Sequence, residues 1–115
     1  MTGHTGFKGS WLTLKLNSLR SEVIGYALDS PTNLSLFELC MIYKQMKSII
    51  ADVRDGVRLN QSMIESNPDI VIHMAAQPLV RESYKYPVET YSINVIGIVN
   101  IFEAVLKCKN VKALI

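Results

Sequence analysis

Gly3, Gly6 and Gly9 recur at every third position in the opening run Thr2-Gly3-His4-Thr5-Gly6-Phe7-Lys8-Gly9. Glycines so spaced let a backbone pass close under a pyrophosphate and feed into a helix, whose unpaired N–H groups and dipole favour negative charge. The chemistry of such a turn is phosphate binding. Thr5, Phe7 and Lys8 belong to the same loop, and Lys8 reads either as a charge offered to a phosphate or as a solvated surface lysine. In a dinucleotide-binding βαβ unit a buried strand leads into this turn. Only Met1 stands before it here, so the run reads as a nucleotide-binding unit whose first strand is missing.

The elements that must position the turn follow in alternation. Residues 9–20 carry Trp11, Leu12, Leu14, Leu16 and Leu19 and read as a helix. Residues 22–28 are short, apolar and β-branched at their start, a buried strand, and 29–33 form a loop. Ser35 stands three residues before Glu38, a capping box that starts a helix through about Met46. A second strand covers 48–51. Asp55 then caps an amphipathic helix to Ser66, broken by Asn67-Pro68-Asp69.

A third strand covers 70–74, followed by a polar loop from Ala75 to Glu82. A long helix runs from Pro87, which suits a first turn, to about Lys109, with Val88, Tyr91, Val95, Ile98 and Val99 turned inward. Residues 111–115 look like a fourth strand. Continuous apolar runs alternating with helices predict α/β architecture, a Rossmann-like doubly wound parallel sheet. All 115 residues are read as one incomplete dinucleotide-binding domain, without a substrate domain.

Bulk properties exclude other classes. With 49% hydrophobic and 19% charged residues the composition is globular. A scattered net charge of +2 argues against a nucleic-acid surface. Cys40 and Cys108 lack metal-ligand spacing and are read as reduced thiols of a cytoplasmic protein. No apolar run is expected to reach the length of a membrane span.

These residues closely resemble the extended short-chain dehydrogenase/reductase family of nucleotide-sugar enzymes. The resemblance rests on residues 2–11, on Gly25-Tyr26-Ala27-Leu28 and residues 35–39, and on Asp52-Val53-Arg54-Asp55. It continues in residues 73–81, which include His73 and Ala75-Ala76-Gln77-Pro78, and in Asn94-Val95-Ile96-Gly97. It implies NAD as cofactor and a nucleotide sugar, CDP-glucose, as substrate. The reaction it implies is a 4,6-dehydration, in which hydride leaves sugar C4, water leaves C6 and the hydride returns to C6. Other family members that dehydrate or epimerise nucleotide sugars, and a non-catalytic nucleotide-binding or interaction module, are the alternatives.

The resemblance also implies residue roles. Gly3, Thr5, Gly6, Phe7, Lys8 and Gly9 would hold the cofactor's phosphates, and Asp52 with Val53 its adenine edge. Ala75, Ala76, Gln77 and Asn94 would lie along the dinucleotide. Val80, Arg81 and Ser83 would face the sugar nucleotide. Asp29 comes late for the ribose contact, and no arginine awaits a 2′-phosphate at the strand end, which favours NAD over NADP. His73 is read as a buried structural histidine. The family's Tyr-x-x-x-Lys pair, in which lysine lowers the tyrosine pKa, is expected beyond Ile115, with no such pair and no catalytic residue in this stretch. The long helix has a family counterpart that is often at a dimer interface, which implies a homo-oligomer. Without its central strand the sheet is expected to split into two halves with open inner edges.

Overall fold

A computed structural model describes residues 1–30 and 32–115; Pro31, in the expected loop 29–33, lies outside the described residues. The glycine turn enters α1 (Phe7–Ser18), then β1 (Ile24–Ala27), α2 (Leu36–Leu39), a 3₁₀ turn (Ile42–Lys44) and β2 (Lys47–Ile50). After these come α3 (Gly56–Ser66), β3 (Ile70–Val71), α4 (Val80–Lys85) and α5 (Pro87–Tyr91). A π-helical segment (Ser92–Ile96), α6 (Gly97–Leu106) and β4 (Ala113–Leu114) complete the chain.

The strands form two parallel pairs, β1 with β2 in the register Tyr26 to Ile49, and β3 with β4 in the register Val71 to Leu114. Met1 and Thr2 lie between the pairs. Thr2 bridges Tyr26 in parallel, the Thr2 N–H donates to Ile72 O at 2.9 Å, and the Gly3 N–H donates to Tyr26 O at 3.1 Å. The expected split into halves is therefore stitched at one end by two residues. Beyond that stitch a cavity of about 530 Å³ separates the halves, walled by Ile24, Tyr26, Leu59, Met63 and Val71. The core lies over the second pair and α3, where Leu59, Ile101 and Ala104 are almost wholly buried beside Tyr26, Ala51, Val53 and Val71.

Local signals set most element starts. Ser35 and Glu38 form the capping box reciprocally, and the Asp55 side chain accepts from the Arg58 N–H. Pro87 occupies the first turn of α5. The helix expected through Met46 instead stops at Leu39. Met41 turns left-handed at φ 47°, and Ile42 drops into the core with no exposed surface. The strand expected over 70–74 keeps its backbone pairing as far as His73, whose N–H donates to Ile115 O at 2.7 Å, and ends where Met74 and Ala75 direct their N–H groups to the Thr2 hydroxyl. Part of the expected polar loop is helical. In α4 the Ser83 N–H donates to Leu79 O and Lys85 pairs with Glu82 one turn away.

The long helix faces the other way from expectation. Gly97, Ile101 and Ala104 point to the core, whereas Val88 is 83% exposed and Val95 47%, with Tyr91, Ile98 and Val99 also exposed. The helix is apolar on both sides, so hydropathy does not choose between them; the side bearing the small residues Gly97 and Ala104 packs against Val53 and the core. The span Pro87–Leu106 is continuous over 20 residues and meets the length and composition of a membrane-crossing helix, which corrects the expectation of no such run. Here its inner face packs on α3 and on the Asp52–Asp55 turn, as a layer helix does.

Candidate cofactor site

The glycine turn is packed as tightly as its composition implies. Gly3 has φ +72°, and a Cβ there would stand 2.9 Å from the Met74 carbonyl and the Ala75 nitrogen. A Cβ on Gly9 would collide with Gly3 O. Gly6, by contrast, stands at the N-cap of α1 with φ −75° and open space around it. No side chain caps α1 and no acidic residue occupies its first turn, so its N–H groups face outward beside exposed Phe7 and Lys8. That end of the helix carries a positive dipole and open donors, which suits an anion. Thr5 is buried and its hydroxyl donates to Leu28 O at 2.9 Å, tying the turn to the end of β1.

Two residues to which no cofactor role was given hold the turn from beneath. Thr2 Oγ1 accepts from the Met74 N–H at 3.0 Å and the Ala75 N–H at 3.1 Å, so its proton goes to His73 Nδ1 at 2.7 Å. His73 is thereby the neutral Nε2–H tautomer, and burial holds its pKa below the ordinary value. The structural role expected for His73 thus has a partner, 71 residues away. His4 has no exposed surface; its Nε2 meets Ser48 Oγ at 2.7 Å and its ring lies edge-on to Phe37 at 5.3 Å. A Cβ on Gly25 would run into that ring, so this glycine exists to admit it. A sequence signal for both was present, since polar residues inside a glycine turn rarely stay idle, but the partners were not legible.

Replacing Thr2 with valine keeps the shape and removes the hydroxyl. Two N–H groups and the His73 nitrogen then lose their partner, and the expected loss is about 2–4 kcal/mol of stability by urea denaturation. A loss below about 0.5 kcal/mol would show that the hydroxyl is not their anchor.

The carboxyl ends of the strands collect most of the other expected residues. Ala75 backs directly onto Gly3, and Ala76 is exposed beside it. Gln77 is clamped by Asn94: its N–H donates to Asn94 Oδ1 at 2.8 Å, and Asn94 Nδ2 donates to Gln77 O at 3.0 Å. The π segment that carries Asn94 aims it at this loop, and both of its polar ends are occupied there. Asp52 accepts from the Arg54 N–H at 2.9 Å and from Arg54 Nε at 2.9 Å. This pairing with the guanidinium holds its carboxyl below the usual range. Val53 is buried in the core against Gly97, and among the described residues no hydrogen bond takes up its N–H. Val80 and Arg81 are exposed on the first turn of α4, and the Ser83 hydroxyl donates back to Val80 O at 2.7 Å.

Tyr43 and Lys47 do stand four residues apart, which corrects the expectation that no Tyr-x-x-x-Lys occurs in this stretch. They share no helix face: Tyr43 lies on the 3₁₀ turn with its ring 6.1 Å from Phe37, and Lys47 starts β2. No group of three or more His, Cys, Asp or Glu side chains among the described residues is placed to hold a metal.

A glycine turn feeding α1, small residues at the end of β3 and parallel strands define a nucleotide-binding α/β unit. The chain belongs to the family described as GDP-mannose 4,6 dehydratase, whose model matches residues 1–115. It is 54% identical over 115 residues to CDP-glucose 4,6-dehydratase of Salmonella typhimurium, covering all of this chain and 32% of that protein. A UDP-glucose-4-epimerase of Stenotrophomonas maltophila, solved with bound NAD and formylated UDP-arabinopyranose, superposes with a TM-score of 0.84 at 28% identity. That match covers 98% of this chain and 34% of the epimerase. The UDP-glucose 4-epimerase of Thermotoga maritima, solved with UDP-glucose, gives 0.86 at 25% identity over 98% of this chain and 35% of its own. The chain thus spans about a third of the length of the relatives it matches.

Proposed function

We propose that this chain is the cofactor-binding part of an NAD-dependent dehydratase that converts CDP-D-glucose to CDP-4-keto-6-deoxy-D-glucose and water. The observation that carries the reading is the 54% identity, end to end, with the Salmonella dehydratase. The NAD bound to the Stenotrophomonas epimerase supports the cofactor. So does the turn itself, whose backbone packs closely because Gly3 and Gly9 lack a Cβ, and which leaves the start of α1 without a side-chain cap.

When bound, NAD would supply hydride acceptance from C4 and hydride return to C6, so that the net outcome is loss of water. The chain's own residues bind and orient. Gly3, Gly6 and Gly9 bring the first N–H groups of α1 up to the pyrophosphate, with Thr5 fixing the loop and Phe7 and Lys8 bordering it. Asp52 accepts from an adenine amino group while the Val53 N–H donates to the ring. Ala75 and Ala76 let the chain run close to the dinucleotide, and Asn94 holds Gln77 in place for it. Arg81, with Val80 and Ser83 nearby, faces the diphosphate of the sugar nucleotide.

The test is incubation of the intact protein with CDP-glucose, UDP-glucose and GDP-mannose, read by mass spectrometry for loss of water and by proton NMR for inversion at C4. Loss of one water from CDP-glucose alone is expected. Epimerised UDP-glucose with inert CDP-glucose would replace this reading with the epimerase one, which the solved relatives favour.

The outer face of α5 and α6 presents Val88, Tyr91, Val95, Val99, Phe102 and Leu106 to solvent. An apolar stripe of this extent supports self-association of the protein. Val95→Asp is expected to shift the sedimentation profile from dimer to monomer; an unchanged profile removes this face from the interface.

A further inference from the structure

The turn Asp52–Asp55 is bound to the helix layer more firmly than the start of α3 requires. Asn100 Nδ2 donates to two consecutive carbonyls, Val53 O at 2.9 Å and Arg54 O at 3.1 Å. Gly56 is glycine where a Cβ would stand 2.9 Å from Asn100 Oδ1, and Gly97 is glycine where one would stand 2.9 Å from Val53 Cγ2. The same turn carries Arg54, whose guanidinium holds the Asp52 carboxylate and lies 3.7 Å from Glu89 in the first turn of α5. Four separate features therefore fix one short turn in position and orientation.

We propose that Asn100 and Arg54 are positioning residues for the adenine end of the cofactor. The proposal rests on the reading of Asp52 and Val53 as the adenine edge. Asn100 locks the Val53–Arg54 and Arg54–Asp55 peptide planes, which follow directly on the Asp52–Val53 plane that bears the Val53 N–H. Arg54 holds both oxygens of the Asp52 carboxylate, its backbone N–H on Oδ1 and its Nε and Nη2 as a fork on Oδ2, which fixes the plane of the carboxylate in a way that lysine does not reproduce. Neither side chain needs to touch the cofactor. Each removes rotational freedom from a group that does, so that less order is lost on binding.

The experiment titrates AMP, NAD and CDP-glucose into the intact protein and into its Asn100→Ala, Arg54→Gln and Arg54→Lys variants. About tenfold weaker binding of AMP and NAD is expected in the first two, equivalent to roughly one hydrogen bond of ordering. CDP-glucose binding stays within about twofold, because among the described residues neither Asn100 nor Arg54 bonds to Val80, Arg81 or Ser83. Arg54→Lys falls between, restoring charge without the fork. Unchanged AMP affinity in Arg54→Gln overturns the proposal, as does an equal weakening of CDP-glucose, which would mark the contacts as structural only. Arg54 is an exposed partner in an ion pair, so its variants carry the test if Asn100→Ala fails to fold. A failure of AMP and NAD to bind the unaltered protein would instead overturn the cofactor reading.

Discussion

Gly9→Ala is expected to abolish measurable NAD binding and to lower stability by roughly 3 kcal/mol. The added Cβ would meet Gly3 O, Gly3 C and His4 Cα, all backbone atoms, so no side chain can swing aside. Gly3 has no room to retreat. Its N–H is bonded to Tyr26 O at 3.1 Å, and on its other side the Met74–Ala75 backbone lies within 2.9 Å of where its own Cβ would be. Relief must come from lifting α1 off the turn, which moves the donors meant for the phosphate. Gly6→Ala is the control: its Cβ would find only Gly3 O at 3.5 Å, an ordinary contact, so stability should hold. Urea denaturation with a cofactor titration reads both effects. Equal behaviour of the two variants would show that the turn has slack at Gly9.

Acid is expected to unfold this protein through histidine before the carboxylates titrate. Burial pushes the His4 pKa down to about 4 from 6.5, with the charged N-terminus as a smaller cause. Protonation would place an N–H at Nδ1, which is buried without a partner, while Nε2 is already engaged with Ser48. Between pH 6.5 and 4 the unfolded chain binds this proton and the folded one does not. Stability is therefore complete above pH 6.5 and falls as pH falls, by roughly 3 kcal/mol in total. His73, also lowered by burial, adds in the same direction. Urea midpoints should decline between pH 6.5 and 4.5, and His4→Gln should flatten that decline. A level profile between 6.5 and 4.5 would show that His4 is not held neutral.

What was legible in the sequence was local. Ser35 and Glu38, Asp55 ahead of α3 and Pro87 at the start of α5 announce their roles within a few residues, because a cap satisfies donors of its own first turn. The glycine turn was equally readable, since only glycine tolerates φ +72° pressed against another backbone. Where two faces of one element were equally apolar, the pattern did not decide between them. The helix from Pro87 to Leu106 carries apolar residues on both sides, and the stripe of Val88, Tyr91 and Val95 lies on the solvent side. The helix expected to continue to Met46 stopped because burying Ile42 outweighed weak local propensity.

The sequence by itself determined that strands and helices alternate, where most of them begin, and that the first turn is a glycine turn feeding a helix. These depend on a residue and its near neighbours, whose conformational preferences act before any tertiary contact forms. Only the tertiary structure decided that Thr2 serves His73, that His4 rests on Ser48 beneath Gly25, and that Asn100 clamps the turn bearing Asp52. Each of these joins residues more than 40 positions apart. A hydroxyl or amide in the sequence offers its hydrogen bonds to many partners, and the packed sheet and helix layer choose one by excluding water from the rest.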